Sequence, residues 1–157
     1  MTRQHHYELG LSWTGNDGAG TRSYREYRRD HIVTAAGAPA IPGSSDPAFR
    51  GDPARWNPEQ LLVASLAQCH LLWYLHFAAT AGVVVVEYED TPIGTMVEEP
   101  GGGGRFSEVT LRPRVTISAE SDPALAESLH AKVGDVCFIA RSVNFPVRHD
   151  PTIAIAS

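Results

Sequence analysis

The longest apolar stretch of the chain runs over residues 58–81, and apolar side chains occupy nearly every face of it when it is drawn as a helix. Asn57 is a good N-cap, Pro58 suits the first helical position and Glu59 complements the positive end of the helix dipole. Gly82 suits the end of the helix. The pattern predicts a helix of roughly 35 Å that lies centrally and is covered on most sides.

Alternating and β-branched segments predict strands on both sides of this helix. Residues 7–13 alternate with period two and end in a turn rich in Gly, Asn and Asp, and a second strand is predicted over 21–35. Residues 37–56 are rich in Pro, Gly, Ser and Asp without periodicity, which is typical of a long functional loop. Beyond the helix, residues 83–88 and 106–118 are predicted to form a long hairpin around the glycines at 101–104. Pro113 would then have to sit at an edge or bulge.

A second helix is predicted from Pro123, capped by Ser121 or Asp122, to about Gly134. Alternating residues after position 142 and over 152–156 predict the last strands. The order β-β-α-β-β-α-β indicates an α+β fold with antiparallel sheet. No repeat or linker divides the chain, so we expect one domain over residues 1–157.

Composition and charge indicate what kind of protein this is and which partners it is expected to bind. A chain of 17.0 kDa with 43% apolar and 20% charged residues can bury one real core. The formal net charge of −5 argues against nucleic acid as the main partner, because binding to phosphates needs a basic face. The first residues contain no apolar run of signal-peptide type, which predicts a cytoplasmic location. Polar interruptions of the long apolar stretch argue against a membrane span. Arginines cluster at positions 22, 25, 28 and 29, which we interpret as a solvated edge.

The two cysteines are the candidates for chemistry. Cys69 lies deep in the predicted central helix, and Cys137 follows 68 residues later. The pair lacks the Cys/His spacing of a zinc ribbon or finger. From their number and spacing alone they are either buried apolar residues or a redox pair.

The helix start and the cysteines together resemble the OsmC/Ohr family of osmotically inducible and organic hydroperoxide resistance proteins. The resemblance rests on Asn57-Pro58-Glu59-Gln60-Leu61-Leu62, Ala67-Gln68-Cys69 and the later Cys137. It implies the OsmC-like fold, with antiparallel sheets, a long central helix and a second helix, in an intertwined homodimer. It also implies a peroxidase in which Cys69 attacks an organic hydroperoxide and Cys137 resolves the sulfenic acid as a disulfide. An external dithiol then supplies the electrons, and neither a metal nor another cofactor is needed.

This chemistry requires a cation near Cys69, because the thiolate is the nucleophile and an apolar helix disfavours that charge. The resemblance implies an arginine that pairs with Glu59. Arg50 is closest to the OsmC-type position and is preferred, while Arg22 is closest to the Ohr-type position. Glu59 and Cys69 are about 15 Å apart by helical rise. Either the arginine therefore bridges the gap, or Glu59 serves the cysteine of a second subunit, as the resemblance favours.

Other interpretations stay open. Leu62, Leu66 and Trp73 favour an organic peroxide, but the fold could instead be a non-catalytic dimer that binds an apolar small molecule at its interface. Phe138 follows Cys137 where better-known family members have proline. The remaining candidates are histidines and an acid: His70 and His76 are interpreted as core or interface residues, and His130 and Asp135 could join the cysteines in a metal site of no standard spacing.

Overall fold

The computed structural model describes the whole chain, Met1–Ser157. Its contacts divide it into two compact units, Met1–Leu61 and Leu62–Ser157. Two helices and three sheets confirm the predicted α+β class, and the single-domain interpretation stays a prediction. In chain order the elements are β1 Gly10–Trp13, β2 His31–Thr34, β3 Ile41–Gly43, α1 Pro58–Ala81, β4 Val85–Asp90, β5 Ile93–Glu98, β6 Gly104–Leu111, β7 Pro113–Ile117, α2 Pro123–Val133, β8 Val147–His149 and β9 Thr152–Ile155.

The first unit contains one antiparallel sheet in the order β1-β2-β3. The predicted second strand was too long, because residues 21–27 form turns and β2 begins only at His31. The chain folds back before it, since Thr14 N donates to Asp30 O over 2.9 Å and Arg28 N donates to Gly15 O over 3.0 Å. The predicted long loop contains β3 and a short 3-10 helix, Pro47–Phe49.

The second unit contains two sheets of three strands, ordered β4-β7-β9 and β5-β6-β8. Each sheet is mixed, because β7 and β9 run parallel, as do β6 and β8. The antiparallel sheet that was expected is thus extended by parallel pairs. The long hairpin is confirmed, because β4 and β5 pair antiparallel with β7 and β6 in one register around the glycines at 101–104. Residues 93–98 form β5, which pairs with β6, while β4 pairs with β7. Pro113 is neither at an edge nor in a bulge but is the first residue of the middle strand β7, a position where a missing N–H is tolerated.

Helix α1 has the bounds that its sequence predicts. Asn57 and Gln60 cap its first turn, and Gly82 ends it in the left-handed region with φ 78°. By length and composition alone α1 could cross a membrane, a test that core helices of soluble proteins also pass. Only one stripe of it is buried, formed by Leu66, His70, Tyr74 and Ala78. The expected cover on most sides is thus missing within one chain.

Helix α2 also follows its prediction. Asp122 caps it by accepting from Ala124 N over 2.9 Å. The main core of the second unit joins α1, α2 and the β4-β7-β9 sheet, and it contains Tyr74, Leu129, Val133 and Cys137. A smaller core surrounds Leu66. The cysteine region is therefore anchored by the best packed part of this unit.

Candidate functional site

The two cysteines lie together in the second unit. Cys69 projects half-buried from α1, and Cys137 is 1% exposed in the main core. Both are free thiols, and the thiol of Cys137 is in hydrogen-bond contact with Cys69. The structure thus brings together two candidate residues that are 68 positions apart in the sequence.

A turn after α2 holds Cys137 in place. Its N–H donates to Val133 O over 2.8 Å, and its carbonyl oxygen accepts from Arg141 N over 3.1 Å. The sulfur accepts from Ala140 N over 3.4 Å. These contacts continue the chain from α2 in one further turn around the thiol.

The environment keeps Cys137 protonated. Burial is the main cause that raises the pKa of its thiol to about 11, and the hydrogen bond to Cys69 acts in the same direction. A protonated Cys137 can donate a hydrogen bond to Cys69.

Aromatic side chains pack around the core that holds the cysteine pair. Trp73 packs against the same core, its ring centroid 5.7 Å from that of Phe77 and 5.9 Å from that of Phe138. Phe138 is 70% exposed. An apolar wall that reaches solvent suits an apolar substrate better than a small polar one.

A buried histidine cluster lies next to the cysteine pair, and its member on α1, His70, directly follows Cys69. His70 Nε2 is 2.9 Å from His130 Nδ1 of α2, and the His149 ring of β8 lies 4.6 Å from that of His70. Burial is the main cause that lowers the pKa of His70 to about 3 and of His130 to about 4, and it also lowers the pKa of His149. All three therefore stay neutral at neutral pH.

The sequence interpretation of these residues was incomplete. The assignment of His70 to the core is confirmed, whereas His76 is exposed in this chain. The contact of His149 with His70 was missed, because His149 comes from β8 and no spacing along the sequence connects it with α1. No group of three or more His, Cys, Asp or Glu side chains is arranged to hold a metal ion.

Glu59 lies in the first turn of α1, in the first unit. Asn57 Oδ1 accepts from Gln60 N over 2.8 Å, and Gln60 Oε1 accepts from Asn57 N over 3.0 Å, so this turn is fixed. Glu59 Oε2 is buried and has no hydrogen-bond partner. No ion pair joins Glu59 to an arginine in this structure. A buried carboxylate oxygen without a partner is costly, so it calls for a donor.

Arg50 has an unusual backbone in the first unit. With φ 67° it is the only non-glycine residue in the left-handed region, at the end of the 3-10 helix Pro47–Phe49. Its side chain is exposed and makes no ion pair. Arg22 is also exposed and unpaired, in the turn region before β2.

The other clustered arginines are not simply solvated. Arg28 pairs with Asp17 at 3.2 Å and with the buried Asp30 at 2.6 Å. Arg29 lies over the Tyr27 ring, 3.9 Å from its centroid. With Arg25 and Arg50, these two line a cavity of about 600 Å³ within the first unit.

Comparison with known proteins identifies the family of the chain. The model of the family described as OsmC-like protein matches residues 51–151. An OsmC-like protein of unknown function from Vibrio cholerae O1 biovar eltor has 28% sequence identity and a TM-score of 0.84, over 94% of this chain and 99% of that one. No curated protein matches the chain.

Two structures of named function share the fold at lower identity. The organic hydroperoxide resistance protein OsmC of Legionella pneumophila is 19% identical, with a TM-score of 0.67 over 96% of this chain and 99% of that one. An organic hydroperoxide resistance protein of Elizabethkingia anophelis is 17% identical, with a TM-score of 0.66 over 98% and 100%. At this identity the likeness shows the fold alone.

Proposed function

Because the chain belongs to the OsmC-like protein family, we propose that it is a thiol-dependent peroxidase that reduces organic hydroperoxides to alcohols. The observation that carries the proposal is the contact between Cys69 and Cys137 inside one packed core. Solved structures with the same fold include proteins named for organic hydroperoxide resistance. A pair of core cysteines without chemistry would not need to place one thiol half-exposed beside the other.

The first step occurs at Cys69. Its thiolate attacks the distal oxygen of the hydroperoxide, an S–O bond forms and the O–O bond breaks. The alkoxide leaves with the electron pair and takes up a proton to become the alcohol, while Cys69 is oxidised to a sulfenic acid. The protonated Cys137 thiol is a hydrogen-bond donor beside Cys69 before the attack.

The second step uses Cys137. Its sulfur attacks the Cys69 sulfenic acid, an S–S bond forms, and the hydroxyl group leaves as water with the proton of the Cys137 thiol. An external dithiol then reduces the disulfide and is itself oxidised. No metal, flavin or haem takes part in this cycle. The apolar wall of Trp73, Phe77 and Phe138 favours an organic hydroperoxide as the substrate.

An arginine activates Cys69 in this proposal, and Glu59 orients it. Arg50 is preferred over Arg22 because its strained backbone is the kind of feature that clusters at functional sites. The unpartnered oxygen of Glu59 would accept from a guanidinium group and lose its energetic penalty. Both arginines have free side chains that can take this role.

We also propose a homodimer. Helix α1 is apolar on nearly every face, yet a single stripe of it is buried within the chain, and Leu72 remains 66% exposed. In the first unit, the segment leading into and through β1 carries alternating exposed apolar residues: Tyr7, Leu9, Leu11 and Trp13. Exposed apolar surfaces of this kind mark interaction sites, and a second copy would cover them.

A single-turnover titration tests the peroxidase proposal. Reduced protein is mixed with cumene hydroperoxide, free thiols are counted, and the products are located by mass spectrometry. We expect loss of two thiols with a Cys69–Cys137 disulfide, and a trapped sulfenic acid at Cys69 in Cys137→Ser. Two thiols that persist against a large excess of peroxide would refute the proposal and favour a non-catalytic dimer that binds an apolar molecule.

A further inference from the structure

Three polar contacts join α1 to α2 and its following turn inside the second unit. The Tyr74 hydroxyl donates to Ala126 O over 2.9 Å, His70 Nε2 lies 2.9 Å from His130 Nδ1, and Cys69 contacts Cys137. Along these three pairs, the residue numbers decrease on α1 (74, 70, 69) while they increase on the second segment (126, 130, 137). The two segments are therefore antiparallel, and the histidine pair lies next to the cysteine pair along the seam.

The histidine contact is a directional hydrogen bond between two rings that meet edge to edge. The ring planes are 4° apart and the centroids 5.2 Å apart, while the nitrogens are 2.9 Å apart, too close for rings stacked face to face. One nitrogen donates and the other accepts. Because both lone-pair directions point into this bond, the two nitrogens cannot both bind one metal ion.

Burial of this pair has a cost that apolar residues would avoid. His70 is 1% and His130 2% exposed, and His130 Nε2 has no hydrogen-bond partner. Two hydrocarbon side chains would fill the space without an orphaned polar atom. What they would not do is fix the two segments against sliding, because apolar contacts lack direction whereas a hydrogen bond weakens steeply with misalignment.

The rings are also clamped by their neighbours. The Tyr74 ring stacks on His130 at 4.1 Å, and His149 of β8 packs against His70 at 4.6 Å. His70 directly follows Cys69. His130 lies one turn before Val133, whose carbonyl oxygen accepts from Cys137 N. A shift of α2 along α1 would thus move Cys137 relative to Cys69.

We propose that His70 and His130 are positioning residues whose hydrogen bond holds Cys137 within disulfide reach of Cys69. The inference deepens the proposed function, since the disulfide completes the peroxidase cycle. Its direct consequence is nevertheless independent of peroxide: the bond raises the effective concentration of one thiol at the other.

The test measures the effective concentration of the Cys69 and Cys137 thiols relative to each other, from the equilibrium of the protein with glutathione. Two protein thiols and one glutathione disulfide give the Cys69–Cys137 disulfide and two molecules of glutathione, and the equilibrium constant is read by acid quenching, alkylation and mass spectrometry. Asparagine places an amide at the position of Nδ1, and glutamine places one at the position of Nε2. His130→Asn and His70→Gln therefore keep the hydrogen bond, while His130→Gln and His70→Asn are matched amides that misplace it.

We expect His130→Asn and His70→Gln to keep the equilibrium constant near the wild-type value. His130→Gln and His70→Asn should lower the equilibrium constant about five- to tenfold, since a hydrogen bond contributes about 1–1.5 kcal/mol. A tenfold change corresponds to about 30 mV in reduction potential. His76→Gln, at an exposed histidine on the same helix, should leave the equilibrium constant unchanged. Thermal unfolding of the reduced proteins reports packing defects separately.

Equal equilibrium constants for the two amides at position 130, and for the two at position 70, would overturn the proposal. So would losses that follow thermal stability rather than amide position. Failure of the peroxidase proposal can be distinguished from failure of this one. If the variants show the expected pattern with glutathione but the wild type does not reduce cumene hydroperoxide, the positioning role stands and the peroxidase function is refuted.

Discussion

The thiol of Cys137 contacts Cys69 from inside the main core of the second unit, and it is held protonated by burial. We expect this thiol to donate a hydrogen bond to the Cys69 thiolate. Cys137 would then assist the first step, the oxidation of Cys69, as well as the second step, in which it resolves the sulfenic acid. Cys137→Ser should keep this donor, whereas Cys137→Ala should lose it. We expect Cys69 oxidation by cumene hydroperoxide to be about tenfold slower in the alanine variant, because hydrogen bonds to charged groups contribute about 1.5–3 kcal/mol.

The measurement is the rate of sulfenic acid formation, trapped with dimedone and followed by mass spectrometry. Neither variant can form the disulfide, so the comparison isolates the first step. Equal rates in serine and alanine would mean that Cys137 serves only as the resolving thiol.

Arg50 offers a test that separates activity from stability. Glycine adopts φ 67° without strain, so Arg50→Gly removes the cation while it suits the backbone. We expect its free energy of unfolding to stay within about 1 kcal/mol of wild type. The rate of Cys69 oxidation should fall about a hundredfold, as expected when one electrostatic donor is lost from a site.

Arg22→Gln is the matched control, because Arg22 is the competing candidate and is equally exposed. Its single-turnover rate should match wild type. The opposite outcome, with activity lost at Arg22 and kept at Arg50, would assign the activating role to Arg22.

The helices could be predicted from the sequence because their signals are local. Asn57 and Gly82 bracket α1, and Asp122 and Gly134 bracket α2, at the positions where the structure has caps and ends. These residues act within a few positions of themselves. Distant contacts are not needed to interpret them.

Strand pairing was less predictable because it depends on distant packing. Gly94 weakens the strand pattern of β5, but a Cβ there would come within 2.6 Å of Val63 Cγ2 and 2.8 Å of Phe106 Cε1. The glycine is thus required by the close approach of α1 and β6. The parallel pairing of β6 with β8 likewise joins segments that no local signal connects.

In the candidate site, too, local features could be predicted from the sequence and distant contacts could not. The number and spacing of Cys69 and Cys137 left open whether they are a redox pair or two core residues, and only the family resemblance implied a pair. The packing of α1 against α2 brings them together. His149 was missed because it comes from β8, whose position depends on that parallel pairing.

The capping pair at the start of α1 predicts a stability effect at Asn57, two residues before Glu59. Asn57→Ala removes the acceptor for Gln60 N and should lower the free energy of unfolding by about 1 kcal/mol. Asn57→Ser, which supplies another capping oxygen, should recover most of this loss. Urea denaturation at neutral pH measures both, and equal stability of the alanine and serine variants would contradict a capping role.

The buried histidines predict that acid destabilises the second unit. In the unfolded chain a histidine has a pKa near ~6.5, whereas the folded pKa is about 3 for His70 and about 4 for His130. Between these values the unfolded state binds protons that the folded state does not. Stability is therefore complete above about pH 6.5 and falls as the pH drops toward 4, by at most about 1.4 kcal/mol per pH unit for each histidine.

Urea denaturation of the reduced protein at pH 7 and pH 5 measures this slope. The groups that face the pair are His149 and Tyr74, and neither carries a negative charge that would hold a proton on it. The double variant His70→Gln with His130→Asn keeps an amide hydrogen bond but cannot titrate. Its stability should change less between pH 7 and pH 5 than that of the wild type. An equally steep loss in the double variant would place the acid sensitivity in other groups.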